Sequence, residues 1–135
     1  MKDTLCPGVG GTRRIVVDRT RTIDFMGKAH RVYATPWMVS DMEYACRDLI
    51  LPHLDEGEDS VGVRVEIEHL APTPLGEWVD IVIAVTAIDG RRVTLDFEIR
   101  DAAEIVGKGN HTRFVVDTAT AERRLRAKMD RPADH

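Results

Sequence analysis

One helix followed by a long run of strand is the feature that most constrains this chain. Apolar residues recur at Met38, Val39, Met42, Ala45, Cys46, Leu49 and Ile50, the spacing of a single buried helical stripe. Thr35 stands at its start as the expected N-cap, with Pro36 where a first helical residue tolerates a missing N–H. Pro52 and the acidic run Asp55-Glu56-Gly57-Glu58-Asp59 end it, giving about five turns. Ser40, Asp41, Tyr44, Arg47 and Asp48 fall on the opposite, polar face.

After residue 60 the period changes to two. Val61, Val63, Val65 and Ile67 alternate with Gly62, Arg64, Glu66 and Glu68, and His69 continues the apolar series. Ala71-Pro72-Thr73-Pro74 breaks the run. Residues 78–88 are almost continuously apolar, which predicts a strand covered on both faces. Asp89-Gly90 signals a tight turn, Val93, Leu95, Phe97 and Ile99 alternate again, and residues 105–116 make a last strand. Upstream, residues 12–23 hold a strand around Ile15-Val16-Val17, and residues 24–31 read as a loop or short helical turn.

The predicted order is therefore strand, long helix, then four strands in a meander, an α+β chain. One helix can cover so much apolar sheet only if an antiparallel sheet of about five strands curls around it. Residues 1–11 read as a flexible arm, 12–118 as the domain, and 119–135 as a charged tail with helical character. At 135 residues a single domain is expected, and a net charge of −4 lacks the basic footprint that nucleic acid requires. Cys6 and Cys46 are too few for a disulfide framework, and neither they nor His30, His53 and His111 have metal-ligand spacing, so no metal site is expected. No segment is apolar and long enough for a signal sequence or a membrane span, which makes a cytoplasmic protein without membrane contact the expectation.

Three polar residues stand out against this frame. Glu43 lies at the margin of the helical stripe, flanked by Val39, Cys46 and Ile50. A partly desolvated carboxylate there suits a base or a nucleophile, whereas Arg47 at i+4 offers an ordinary surface pair. His69 joins the apolar face, as a proton carrier or as a core histidine bonded to a backbone carbonyl. Thr35 marks the helix N-terminus, whose free N–H groups suit an oxyanion. Eight residues separate Thr35 from Glu43 by about 12 Å along the axis, so these two cannot form one hydrogen-bonded pair. Gly62 can bring a backbone N–H to a ligand or mark a bulge, and Gly107-Lys108-Gly109 reads as a strand with close backbone approach.

Several segments carry a resemblance. They are Ala34-Thr35-Pro36-Trp37-Met38-Val39, Met42-Glu43-Tyr44-Ala45-Cys46, Ser60-Val61-Gly62, Glu68-His69, Ala71-Pro72-Thr73-Pro74, Asp89-Gly90-Arg91-Arg92 and Gly107-Lys108-Gly109-Asn110-His111-Thr112-Arg113. Across residues 32–117 the chain resembles the fluoroacetyl-CoA thioesterase family. The resemblance implies a hotdog fold, a homodimer or higher oligomer, and hydrolysis of a short acyl-CoA. It also implies no cofactor beyond the coenzyme A carried by the substrate. It places the catalytic residues on Thr35, Glu43 and His69, and the ligand-contacting glycine on Gly62.

Pro36 stands where the family has glycine and donates no N–H, so Trp37, Met38 or Gly62 is expected to serve the oxyanion. The family's two lid phenylalanines fall on Met26 and Ala29, with Phe25 out of register. Arg91, Arg92, Lys108 and Arg113 either meet the phosphates of coenzyme A or form a solvated charged edge, the second being favoured. In the expected mechanism Glu43 attacks the thioester or activates water while His69 moves protons, and these two weigh most. A non-hydrolytic acyl-CoA binding module and a hotdog enoyl-CoA hydratase are the alternatives.

Overall fold

Helix α1 (Thr35–Ile50) lies against one face of a five-stranded antiparallel sheet in the order β1-β5-β6-β7-β4. These strands are β1 (Gly10–Val16), β4 (Glu58–His69), β5 (Trp78–Asp89), β6 (Arg92–Arg100) and β7 (Ile105–Asp117). The computed structural model describes residues 1–133, and the last two tail residues lie outside that range. A separate two-stranded pair, β2 (Thr22–Ile23) and β3 (Val32–Tyr33), runs just ahead of α1. Met38, Met42, Cys46 and Ile50 of α1 are fully buried, as are Ile81, Leu95 and Ile99 of the sheet in the same core. The helical stripe and the strand alternation thus meet face to face.

Three expectations change. β5, β6 and β7 form a meander, but β4 pairs with β7 and not with β5. Strand β1 already occupies the outer edge of β5, from Gly10↔Ala84 to Val16↔Trp78, which leaves β4 the free edge of β7. Strand β5 is covered on one face only. Val79, Ile81, Ile83 and Val85 are buried whereas Val82 is 40% exposed, because a lone helix shields one side of the sheet. On the outer side the Arg14 guanidinium stacks 3.8 Å from the Trp78 ring centroid.

The third change is a bulge in β4. Its pairing passes from Gly62↔Arg113 to Arg64↔Thr112, which leaves Val63 unpaired. Ser60 is buried before the bulge; after it Val65, Ile67 and His69 are the partly buried positions. Val61 and Val63 are 47% and 48% exposed, so the simple odd-numbered alternation fails. One inserted residue moves every side chain upstream of it to the other face.

The first eleven residues make fixed contacts: Leu5 enters the core, and Gly8 and Val9 exchange backbone hydrogen bonds with Val85. The tail forms α2 (Thr118–Met129), capped by Asp117 and with no buried residue. The stretch 24–31 contains one 3-10 turn, Lys28–His30, as a short helical turn predicts.

Close backbone approach is real at Gly109, where an added Cβ would lie 1.8 Å from the Glu66 carbonyl oxygen. The obstacle is backbone in a paired strand, so neither side can yield cheaply. Gly109→Ala is expected to cost about 3 kcal/mol. A denaturant melt with an unchanged midpoint would remove this account of the position.

Candidate active site

The helix begins one residue earlier than a Thr35 cap requires. Ala34 is the N-cap and makes no side-chain cap bond, and Thr35 is the first helical residue. The Thr35 hydroxyl is engaged elsewhere: its Oγ1 lies 2.7 Å from Nδ1 of His69, a residue 34 positions away at the end of β4. The other imidazole nitrogen, Nε2, is buried without a hydrogen-bond partner. A buried polar atom without a partner is costly, and a ligand group is what would satisfy it. Burial lowers the His69 pKa from its usual 6.5, an effect opposed only by the backbone of Ala71, so neutral imidazole prevails at pH 7.

Thr35 and His69 share a cleft of about 410 Å³ whose walls include Ile23, Phe25, Tyr33 and Leu70. Phe25 therefore reaches this cleft despite its displacement from the expected lid positions. Met26 and Ala29 line a different depression beside Pro74 and Leu75.

Glu43 lies elsewhere. It lines a second cleft of about 690 Å³ with Val39, Ser40, Ser60, Gly62 and Arg113. The only lining residue common to the two clefts is Pro36. The ordinary pairing of Glu43 with Arg47 does not form, because both Arg47 Nε and Nη2 donate to Asp59, at 3.0 and 2.6 Å. A cation does face Glu43, with Arg113 Nη1 3.9 Å from its Oε2. Gly62 packs so closely that an added Cβ would sit 2.8 Å from the same oxygen.

Arg113 is a correction to the solvated charged edge. Its side chain is only 5% exposed. Nε donates to Ser60 Oγ at 2.7 Å and Nη2 to the Ser60 carbonyl at 2.8 Å. Nη1 lies 3.0 Å from His111 Nε2, and His111 Nδ1 lies 2.8 Å from the Arg64 carbonyl. A carbonyl only accepts and a guanidinium only donates, so His111 carries its proton on Nδ1 and is neutral. Burial lowers the pKa of both His111 and Arg113, and the nearby Glu43 carboxylate partly opposes this in each. The signal for Arg113 was its place two residues from His111 and Val115 on the inward side of β7.

The donors proposed for an oxyanion sort differently from expectation. The N–H groups of Trp37 and Met38 both point to the Ala34 carbonyl at 3.0 Å, so they are already engaged. Met38 is entirely buried, and the Trp37 ring lies under Arg21 at 5.4 Å and borders neither cleft. The N–H of Thr35, one of the orphan donors of a helix start, meets no acceptor among the described residues. Burial pushes the Cys46 thiol up to about 12, and among the described residues no group of three His, Cys, Asp or Glu is arranged to hold a metal. No described helix is long and apolar enough to cross a membrane.

The structure thus brings Thr35 and His69 together in one cleft, and Glu43 with Gly62 in another. Comparison with known proteins gives the fold and the two clefts a context. The sequence model of the fluoroacetyl-CoA-specific thioesterase family, FlK, matches residues 17–119. The fluoroacetyl-CoA thioesterase of Streptantibioticus cattleyicolor is 30% identical over 95% of this chain and 97% of its own length. A crystal structure of a fluoroacetyl-CoA-specific thioesterase variant superposes with a TM-score of 0.85 at 30% identity, covering 94% of this chain and 99% of that one. A thioesterase superfamily member from Thermus thermophilus gives 0.82 at 34% identity, covering 93% and 96%. A hot-dog-like protein from Thermanaerovibrio acidaminovorans gives 0.85 at 28% identity, covering 93% and 94%. The sheet wrapped on a central helix is accordingly the hotdog fold, and the chain belongs to the fluoroacetyl-CoA-specific thioesterase family.

Proposed function

We propose that this enzyme hydrolyses the thioester of a small acyl-CoA in a site shared between two protomers. The observation that carries the reading is the Thr35–His69 contact at a helix N-terminus, with His69 Nε2 buried and unpartnered. The thioester carbonyl sits at the start of α1, where the Thr35 N–H and the helix dipole stabilise its oxyanion. Glu43 is the base that activates water, or the nucleophile that forms a transient anhydride. In the water route Glu43 takes a proton from the attacking water, the acyl–sulfur bond breaks, and that proton passes through His69 to the departing thiolate. In the anhydride route the acyl–sulfur bond breaks as the acyl–Glu43 bond forms, and neutral His69 then takes a proton from the water that opens the anhydride and passes it to the thiolate. A free acid and the thiol of coenzyme A leave. Gly62 sets the position of the Glu43 carboxylate.

Two features favour a homodimer. Strand β4 ends the sheet, and its open edge carries the exposed Val61 and Val63. Such an edge invites pairing with a second copy. If two β4 strands pair antiparallel in a register centred between Val65 and Glu66, Gly62 of one protomer stands opposite residue 69 of the other. Glu43, which touches Gly62, then meets a Thr35–His69 pair that its own chain keeps in another cleft.

Thiol release from acyl-CoAs graded by chain length tests the reading. A binding module would be stabilised by acyl-CoA without releasing thiol, and a hydratase would consume enoyl-CoA without releasing it. The pH profile carries a sign. His69 acts from its neutral form, and burial lowers its pKa, so kcat/KM should fall in acid with an apparent pKa below 6.5. An acid limb at or above 6.5 would mean that some other group controls the reaction.

A further inference from the structure

Asp41 should be on the solvent face of α1 by its place in the helical pattern, yet it is 5% exposed. A buried carboxylate is costly unless its oxygens are satisfied. Here they accept from Arg21 Nε at 2.9 Å, Arg21 Nη2 at 3.0 Å and the Tyr33 hydroxyl at 2.5 Å. Arg21 is fixed in turn by Asp18, whose Oδ2 accepts from Nη1 at 2.7 Å. Apolar side chains of similar shape would fill this space without desolvating any charge. What the polar cluster adds is a fixed geometry.

Tyr33 is the member that reaches the active site. It is 1% exposed, and its ring meets the His69 imidazole edge-on, with centroids 6.5 Å apart and planes at 70°. Its backbone is pinned as well: its N–H donates to the Thr73 carbonyl at 2.8 Å, and the next N–H, of Ala34, to the Arg21 carbonyl at 2.8 Å. Tyr33 is two residues before Thr35, so it stands beside both partners of the Thr35–His69 bond. Burial raises the Tyr33 pKa, and the hydrogen bond to Asp41 raises it further, so the hydroxyl stays protonated and donating. No charged group contributes directly to the His69 shift, which arises from burial and the Ala71 backbone alone. The Tyr33 ring is what links Asp41 and Arg21 to the imidazole.

We infer that Tyr33 is a positioning residue for His69, locked by the buried Asp41–Arg21 ion pair so that the imidazole stays aligned with Thr35. This rests on His69 being catalytic. The cluster also fastens the turn before β2 to α1, and so holds the segment that delivers Ile23 and Phe25 to the same cleft.

Tyr33→Phe tests it, because the ring remains and only the tether to Asp41 is lost. Expected are a fall in kcat of about tenfold with KM within about twofold, since misalignment of a catalytic group acts on turnover. The acid limb of kcat/KM should also move up toward 6.5, as a looser ring admits water to the imidazole. Asp41→Asn, which weakens both hydrogen-bond partners, should shift both quantities in the same direction. A lowered melting temperature with kcat and the acid limb unchanged would reduce the cluster to a structural brace and overturn the inference. His69→Ala separates the two levels. If that variant keeps turning over, the reading of His69 fails; if it is inactive while Tyr33→Phe is fully active, only the role of Tyr33 fails.

Discussion

His69→Ala and Glu43→Gln are each expected to retain no more than about a hundredth of the parent turnover, the usual scale for losing a general acid or base. Mixed and allowed to exchange subunits, the two inactive proteins should recover about a quarter of it. The reasoning is geometric. Glu43 and His69 line separate clefts of one chain. If each working site draws Glu43 from one protomer and His69 from its partner, a mixed dimer concentrates both defects in one site and leaves the other whole. Random exchange makes about half the dimers mixed, each with one intact site. Neither substitution threatens the fold. The His69 imidazole has the Thr35 hydroxyl as its side-chain partner, and the nearest cation to Glu43 among the described residues is at 3.9 Å. Verified subunit exchange without recovery of activity would place the whole reaction inside a single chain and end the shared-site proposal.

What the sequence reveals about this fold is what periodicity encodes. Met38, Met42, Cys46 and Ile50 announce a helix face, and Val93, Leu95, Phe97 and Ile99 a strand face, because burial on one side fixes the repeat. The order of strands in the sheet is not periodic information. Whether β4 joins β5 or β7 depends on which edge β1 has taken, and nothing within β4 records that. The bulge at Val63 is hidden for a similar reason. Val61, Val63, Val65 and Ile67 form an unbroken alternation in sequence, and only the inward positions of Ser60 and Gly62 betray the slip.

The candidate site divides along the same line. Thr35 and His69 were legible as a helix start and an inward histidine, but a contact across 34 residues is a product of tertiary packing. Asp41 and Arg113 were misread for one reason. Charged residues are solvated by default, and the partners that pay for their burial, Tyr33 and Arg21 in one case and Ser60 and His111 in the other, come from distant segments. Buried charge is thus where local pattern fails here, and both failures lie beside the groups proposed to react, Asp41 through Tyr33 next to His69 and Arg113 next to Glu43. Natural chains depart from local rules mainly where a site needs it.

Gly62→Ala should disable the enzyme while sparing the fold, the reverse of Gly109→Ala. At Gly109 the new methyl group meets backbone, the Glu66 carbonyl at 1.8 Å. At Gly62 it meets the tip of a flexible side chain, Glu43 Oε2 at 2.8 Å, and then His111 Cε1 at 3.1 Å. Glu43 can rotate away at little cost, because no hydrogen bond holds it and its side chain is 38% exposed. His111 cannot follow easily, being fixed by Arg64 and Arg113. The strain is therefore relieved by moving the carboxylate, the group proposed to activate water or attack the thioester. A displacement of about 1 Å is enough to cost on the order of a hundredfold in kcat/KM. Stability should fall by no more than about 1 kcal/mol, or a few degrees in Tm. The paired measurement is decisive because the two glycines trade places: one variant should melt early and the other should melt normally but turn over slowly. If Gly62→Ala hydrolyses acyl-CoA at the parent rate, the Glu43 carboxylate is not working from the position beside Gly62, and the assignment of that cleft to catalysis falls.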